Sequence, residues 1–146
     1  NLSGEEHTIQ YVAGDSDSGM FGGNSNWRGP IWIPINFLII ESLQRFHFYF
    51  GDDFKVPFPT GSDNLLSLDE IATELGKRLC NIFLQNSNGN RAVNGNYRKF
   101  QEDEHFKDYI RFFEFFHGDS GKGLGAGHQT GWTSLIAKIL QPRFRE

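Results

Sequence analysis

The apolar residues between positions 35 and 50 recur with the spacing of a helix. They are Ile35, Leu38, Ile39, Leu43, Phe46 and Phe50. This period brings them onto one face and predicts an amphipathic helix of about four turns. Pro34 suits the first turn, where a backbone N–H has no helical partner, and Gly51 suits the C-terminal end.

A second helix is predicted to start at Ser67, because Ser67 and Glu70 form the Ser-x-x-Glu pattern of a capping box. Residues 86–89 are turn-forming and end it. The residues between the two helices, 52–64, contain two prolines and a glycine and predict a loop. The apolar stripe of the second helix consists of Leu68, Ile71, Ala72, Leu75, Leu79, Ile82 and Phe83.

The segment 109–116 is almost entirely apolar, which fits a helix or a strand. We favour a strand or extended segment, because the run is short and aromatic and turn residues begin at Gly118. An extended chain would place four side chains on one face: Ile110, Phe112, Glu114 and Phe116.

The remaining segments predict mostly irregular structure. Residues 1–26 are polar and predict a loop with one short strand, and residues 88–96 predict a ribbon or loop. A last helix is predicted over residues 130–141, before Pro142. The chain is therefore expected to be mainly α, with long loops and a short β ribbon.

Length and charge limit the classes of protein to consider. At 146 residues the chain has the length of one domain, and we expect residues 1–146 to form a single segment. The net charge is −4 and the Lys and Arg residues are dispersed, which argues against a nucleic-acid partner. The single cysteine, Cys80, excludes an internal disulfide and a cysteine-ligated zinc site. No motif indicates a metal or a cofactor.

Other features bear on where the chain comes from. No apolar run approaches the ~20 residues needed to cross a bilayer, and the polar N-terminus shows no signal peptide. Because the sequence does not begin with Met, we expect a processed product or part of a longer chain. The single cysteine favours a bacterial cytoplasm. The 15 Phe residues fit either an aromatic core or a partly apolar ligand cleft.

Two motifs carry the candidate chemistry. Residues 24–36, NSNWRGPIWIPIN, combine two Trp, one Arg and several amides. Residues 112–132, FFEFFHGDSGKGLGAGHQTGW, set one carboxylate, Glu114, among aromatic residues before a glycine-rich turn. Aromatic faces stack on the apolar C–H faces of pyranose rings, so this composition indicates a sugar-binding or sugar-hydrolysing site.

Both motifs resemble the C-terminal part of glycoside hydrolase family 63, and the resemblance runs from about Gly19 to Gln141. That family contains processing α-glucosidases that trim mannosyl-oligosaccharides and bacterial mannosylglycerate hydrolases. The resemblance implies an (α/α)6 toroid, of which this chain would supply the last helices and the loops at the active-site mouth. The rest of the same catalytic domain would then be its partner.

The resemblance also implies roles for individual residues. Family members invert the anomeric configuration, and their catalytic base falls on Glu114. A tryptophan motif would line the glucose subsite, and a second run would complete it, with Trp132 closing the far wall. The implied substrate-binding residues are Trp27, Arg28, Gly29, Trp32, His128, Gln129 and Trp132.

The sequence departs from the family in one respect. The family's general acid is an aspartate well upstream of the tryptophan motif, and the region that would carry it is not in this sequence. Asp15 and Asp17 lie near the motif, but their context does not match the acid site. We therefore expect the 146-residue chain alone to be inactive, and a gluco- or manno-oligosaccharide or small glycoside to be the substrate of the longer enzyme.

Simpler interpretations remain open. The chain could be a non-catalytic carbohydrate-binding module, or a structural helical domain in which Glu114 is a surface carboxylate and the tryptophans are core. His128 and Gln129 could be loop residues that satisfy local hydrogen bonds. His117 and Asp119 are expected to fix the turn after Glu114.

Overall fold

The computed structural model describes residue 4, residues 10–19 and residues 27–141. The described part of the chain is mainly helical, with two small antiparallel sheets, as the sequence predicts. The elements in order are α1 Ile33–Phe50, β1 Lys55–Pro57, β2 Leu65–Ser67, α2 Leu68–Asn81, a 3₁₀ turn Ala92–Asn94, α3 Arg98–Glu102, β3 Phe115–Phe116, β4 Gly123–Leu124, α4 Thr130–Thr133 and α5 Leu135–Leu140.

The first predicted helix is confirmed as α1, which starts two residues before Ile35. Pro34 lies in its first turn, and the N–H of Gly51 donates to the His47 carbonyl at 2.8 Å where the helix ends. Only Ile33 and Ile40 of this helix are buried. Most of the predicted apolar stripe is exposed in this structure.

The second predicted helix is confirmed as α2, and its capping box is formed. The Glu70 N–H donates to Ser67 Oγ at 3.3 Å, and the Ser67 N–H donates to Glu70 Oε2 at 2.8 Å. The helix ends at Asn81, so Ile82 and Phe83 lie beyond it, although both remain buried. The segment predicted as a loop before α2 also forms a hairpin, β1–β2.

The hydrophobic core lies where α1, α2 and α5 pack together. Its helical members include Ile40, Leu79 and Ile136. The core also includes Phe113 and Phe116 from the aromatic segment, and both are buried. The candidate site therefore lies on residues that are anchored directly in the core.

The segment 109–116, predicted as a strand or extended segment, contains no helix and forms a strand only at its end. Only Phe115 and Phe116 form a strand, which pairs with β4, and Glu114 lies at a bend before it. Both strand residues are completely buried. Phe115 stacks on Trp32, whereas Phe116 contacts Phe83, so aromatic side chains are covered on both sides of the segment.

The predicted last helix is interrupted at Ser134, which separates α4 from α5. The Ser134 hydroxyl donates to the Thr130 carbonyl and the Thr133 hydroxyl to the Phe113 carbonyl. Side chains that compete for backbone groups in this way commonly bend or end a helix.

Residues 88–96 form a loop with the 3₁₀ turn. Residues 10–19 contain no strand, and most of the other residues of 1–26 lie outside the described ranges.

Candidate functional site

The two motifs singled out in the sequence are hydrogen-bonded to each other. The Ile31 N–H donates to the Phe116 carbonyl at 2.8 Å, and the Phe116 N–H donates to the Ile31 carbonyl at 2.9 Å. This isolated antiparallel bridge joins the loop before α1 to β3. It brings Trp32 against Phe115, although the two residues are far apart in the sequence.

A third segment crosses this junction. The Gly118 N–H donates to the Ala13 carbonyl at 2.7 Å. A Cβ at Gly29 would lie 1.6 Å from the Val12 carbonyl oxygen, and a Cβ at Gly118 would lie 2.4 Å from the Gly29 carbonyl oxygen. Each motif therefore has a glycine where backbones meet, and the buried Gly29 has a structural role there.

Aromatic rings form a stack above the junction. The Trp27 and Trp32 ring centroids are 4.3 Å apart, and those of Trp32 and Phe115 are 4.7 Å apart. Trp132 meets Trp32 edge-on at 6.4 Å. The exposed fraction rises from 0% for Phe115 and 6% for Trp32 to 53% for Trp27. The stack therefore runs from the core to the surface and presents an accessible aromatic face.

The indole nitrogen of Trp32 is buried, and no hydrogen-bond acceptor contacts it among the described residues. A buried donor without a partner costs about 1–3 kcal/mol, so such groups usually have a specific reason. Trp32 is 6% exposed, and its packing between Trp27 and Phe115 keeps its ring in place.

Glu114 is partly buried and is attached to the turn that follows β4. Its backbone N–H donates to the Ala126 carbonyl at 3.0 Å. Its carboxylate Oε2 accepts a hydrogen bond from the Ala126 N–H at 3.1 Å. One carboxylate oxygen is thus held by the backbone. A Cβ built at Gly125 would lie 2.7 Å from both Glu114 Oε2 and the Phe115 ring, so the carboxylate lies beside the buried end of the aromatic stack.

His128 and Gln129 attach the start of α4 to Phe112. The His128 and Phe112 rings are stacked at 5.8 Å, and His128 Nδ1 accepts from the Phe112 N–H at 3.5 Å. The Gln129 N–H donates to the Phe112 carbonyl, and its own carbonyl accepts from the Trp132 N–H at 3.1 Å. Both side chains are exposed. These contacts hold Trp132 beside the stack.

The turn after β3 is fixed by His117, as expected. His117 Nδ1 accepts hydrogen bonds from the N–H groups of Asp119 and Ser120, each at 3.3 Å. The Tyr11 hydroxyl donates to Asp119 Oδ1 at 2.7 Å, and this hydrogen bond raises the pKa of the Tyr11 phenol. The Asn36 side chain in the first turn of α1 also bonds locally, donating to the Trp32 carbonyl at 2.9 Å.

The structure therefore brings most predicted site residues to one region. Trp27 and Trp132 each contact Trp32, and Trp32 stacks on Phe115, the residue that follows Glu114. Arg28 is exposed next to Trp27. Sequence reasoning missed the partners that hold these groups, Phe115 and Ala126, because neither has chemistry that marks it out.

In the described part of the chain, no group of three His, Cys, Asp or Glu side chains lies close enough together to hold a metal ion. None of the helices found in residues 27–141 is long and apolar enough to span a bilayer.

The sequence matches a class of sugar-cleaving enzymes, the glycosyl hydrolases. The chain belongs to glycosyl hydrolase family 63, because residues 18–142 match the C-terminal domain of that family. The resemblance noted in the two motifs is thereby confirmed.

Three curated proteins are similar to this chain. An uncharacterized protein of Saccharomyces cerevisiae is 56% identical over 142 residues, which are 96% of this chain and 13% of the relative. A probable mannosyl-oligosaccharide glucosidase of Schizosaccharomyces pombe is 26% identical over 84% of this chain and 12% of its own length. The mannosyl-oligosaccharide glucosidase of Saccharomyces cerevisiae is 27% identical over 82% of this chain and 11% of its own length.

The chain thus spans only about an eighth of the length of these relatives. No solved structure matches it.

Proposed function

We propose that this chain is the base-bearing C-terminal part of an inverting, α-glucosidase-like glycoside hydrolase. The observation that carries the proposal is the position of Glu114, a carboxylate held by the Ala126 backbone beside Phe115, the buried end of a surface-reaching aromatic stack where the two family motifs meet. Two relatives named as mannosyl-oligosaccharide glucosidases support a glucosylated oligosaccharide as substrate. The helices α1, α2 and α5 would belong to an (α/α)6 toroid.

The proposed chemistry is hydrolysis with inversion. A general acid, supplied from outside this sequence, protonates the leaving glycosidic oxygen. A water molecule attacks the anomeric carbon from the opposite face and gives its proton to Glu114. The two carboxyl groups of such enzymes are about 6.5–9.5 Å apart, which leaves room for that water.

The aromatic stack provides the proposed glucose subsite. The exposed face of Trp27 and the edge of Trp132 offer apolar surface to the C–H face of a pyranose ring. The exposed polar groups of Arg28, His128 and Gln129 are candidate partners for sugar hydroxyls. Gly29 contributes by allowing the loop to pack closely beneath them.

The test is the variant Glu114→Gln in the longest natural polypeptide that contains this chain. Probes are glucose disaccharides with α-1,2, α-1,3, α-1,4, α-1,6 and α,α-1,1 linkages, together with a glucosylated mannose oligosaccharide. We expect kcat for the best probe to fall by about 10²–10⁴-fold, because general acid–base catalysis contributes on that order, and KM to change little. Proton NMR of the wild-type reaction on the glucosylated mannose oligosaccharide, whose first cleavage frees only the terminal glucose, should show β-glucose forming first.

Glu104→Gln is the control, because Glu104 is an exposed carboxylate away from the stack, and its variant should behave as wild type. Near-normal turnover by Glu114→Gln would refute the base assignment. First release of α-glucose from the glucosylated mannose oligosaccharide would refute inversion. Sugar binding without turnover in the longest polypeptide would instead favour a carbohydrate-binding module.

A further inference from the structure

Glu114 and Ala126 are joined by two hydrogen bonds of different kinds. The bond from the Glu114 N–H to the Ala126 carbonyl, at 3.0 Å, fixes the two backbones relative to each other. The bond from the Ala126 N–H to Glu114 Oε2, at 3.1 Å, fixes the side chain. Together they define where the carboxylate points, which a single contact would not do.

The residue before Ala126 is Gly125, and a side chain at this position would collide with the Glu114 carboxylate. Gly125 has φ +69°, and a Cβ built there would lie 2.7 Å from Glu114 Oε2 and 2.7 Å from the Phe115 ring. By contrast, Gly89 has φ +77° but nothing within 4 Å of its Cβ position. Gly125 is therefore constrained by its neighbours as well as by its backbone conformation.

The residues before and after Gly125 also pack closely against the aromatic segment. Before it, Gly123 pairs with Phe116 in the small sheet, and a Cβ there would lie 2.1 Å from the Phe113 ring. After it, a Cβ at Gly127 would lie 2.3 Å from the Arg111 guanidinium. The glycines of this run thus let the turn pack closely against the aromatic segment that carries Glu114.

We propose that the Gly125–Ala126 turn is a positioning element for the Glu114 carboxylate. The Ala126 N–H holds Oε2, and the bare Cα of Gly125 leaves the space that the carboxylate occupies, so that Oε1 is presented to the reacting water. The proposal rests on the proposed function, because it assigns this turn to the same base. Displacing a reacting group by about 1 Å can lower a rate by roughly 10²-fold. Holding the Glu114 carboxylate in place therefore affects the rate of turnover.

The first test does not depend on activity. Hydrogen exchange at the Ala126 amide is measured at single-residue resolution in the natural polypeptide and in its variants Glu114→Ala and Glu114→Gln. Glu114→Ala removes the acceptor and should speed exchange by about fivefold or more, whereas Glu114→Gln keeps a carbonyl oxygen and should stay near wild type. The Gly121 amide, bonded to the His117 carbonyl at 2.8 Å, is the internal control. Equal exchange at Ala126 in the wild type and Glu114→Ala would overturn the proposal.

The second test compares Gly125→Ala with Gly89→Ala, which introduces similar backbone strain in open space. With the best glucose disaccharide as probe, Gly125→Ala should lower kcat by about 10–100-fold while KM stays within about twofold. Gly89→Ala should leave both constants unchanged. If Glu114→Gln abolishes turnover but Gly125→Ala keeps a normal kcat, the positioning role is wrong and the base assignment stands. If Glu114→Gln keeps turnover, the proposed function itself is wrong.

Discussion

The residues of the aromatic stack contribute differently to stability and to ligand binding, because some of them are buried and others are exposed. Trp32 is enclosed between two rings and is 6% exposed, so its main effect is on stability. Trp27 caps the same stack and is 53% exposed, so its outer face is available to a ligand. The two tryptophans of one short motif therefore lend themselves to separate experiments.

Trp27→Ala should weaken substrate binding more than it weakens the fold. We expect the free energy of unfolding to fall by about 1 kcal/mol, the size of one aromatic pair contact. KM for the best disaccharide should rise about tenfold, equivalent to about 1.4 kcal/mol of binding. Trp27→Phe is the control, since it keeps an apolar ring and should hold KM close to wild type. An unchanged KM in Trp27→Ala would remove Trp27 from the glucose subsite.

The residue scale also shows which parts of the site a sequence can predict. Glu114 and the tryptophans are predicted as site residues from their chemistry and from the family motifs. The acceptor and donor that hold Glu114 belong to the backbone of Ala126, and any residue type has those groups. The role of Gly125 depends on its distance from the carboxylate, which is set by the packing of the turn. These features required the structure.

At the scale of secondary-structure elements, the sequence correctly predicts those features that depend on contacts between residues close together in the chain. The capping box at Ser67 lies within one turn, so the sequence specified the start of α2. The Ile31–Phe116 bridge and the close approach of Val12 to Gly29 join distant segments, and no periodicity marks such pairings. Within the segment 109–116, the strand is limited to Phe115 and Phe116, whose ring partners, Trp32 and Phe83, come from distant segments that the local sequence does not indicate.

The junction of the two motifs should tolerate no side chain at Gly29. A Cβ there would overlap the Val12 carbonyl at 1.6 Å, so backbone would have to move. We expect Gly29→Ala to destabilise this region by about 3 kcal/mol or more, measured by hydrogen exchange of the Ile31 and Phe116 amides.

Gly131→Ala is the matched control for Gly29→Ala. Gly131 lies in α4 with nothing within 4 Å of its Cβ position, so alanine there should stabilise the helix by about 0.5–1 kcal/mol. If the Ile31 and Phe116 amides exchange as slowly in Gly29→Ala as in the wild type, the backbones of Val12 and Gly29 do not approach each other as described.

At the scale of the whole molecule, one surface stands out as incomplete. The outer face of α1 exposes Ile35 at 42%, Leu38 at 60%, Ile39 at 45% and Phe46 at 55%, and these four side chains line one groove. Soluble proteins seldom leave such a contiguous apolar surface uncovered. Since the curated relatives are far longer than this chain, we propose that other parts of the same catalytic domain cover α1.

Two leucines of similar exposure allow a test of whether other parts of the natural polypeptide cover α1. Leu38 is 60% exposed on α1, and Leu65 is 55% exposed in β2, outside that face. In the natural polypeptide, Leu38→Lys should destabilise α1 by about 3 kcal/mol or more, because it removes a buried leucine and buries an unpaired charge. Leu65→Lys should change stability by only about 0.5 kcal/mol, as a surface substitution does. Hydrogen exchange of the α1 amides measures both, and equally small effects would mean that α1 faces water, with the apolar face left for some other role.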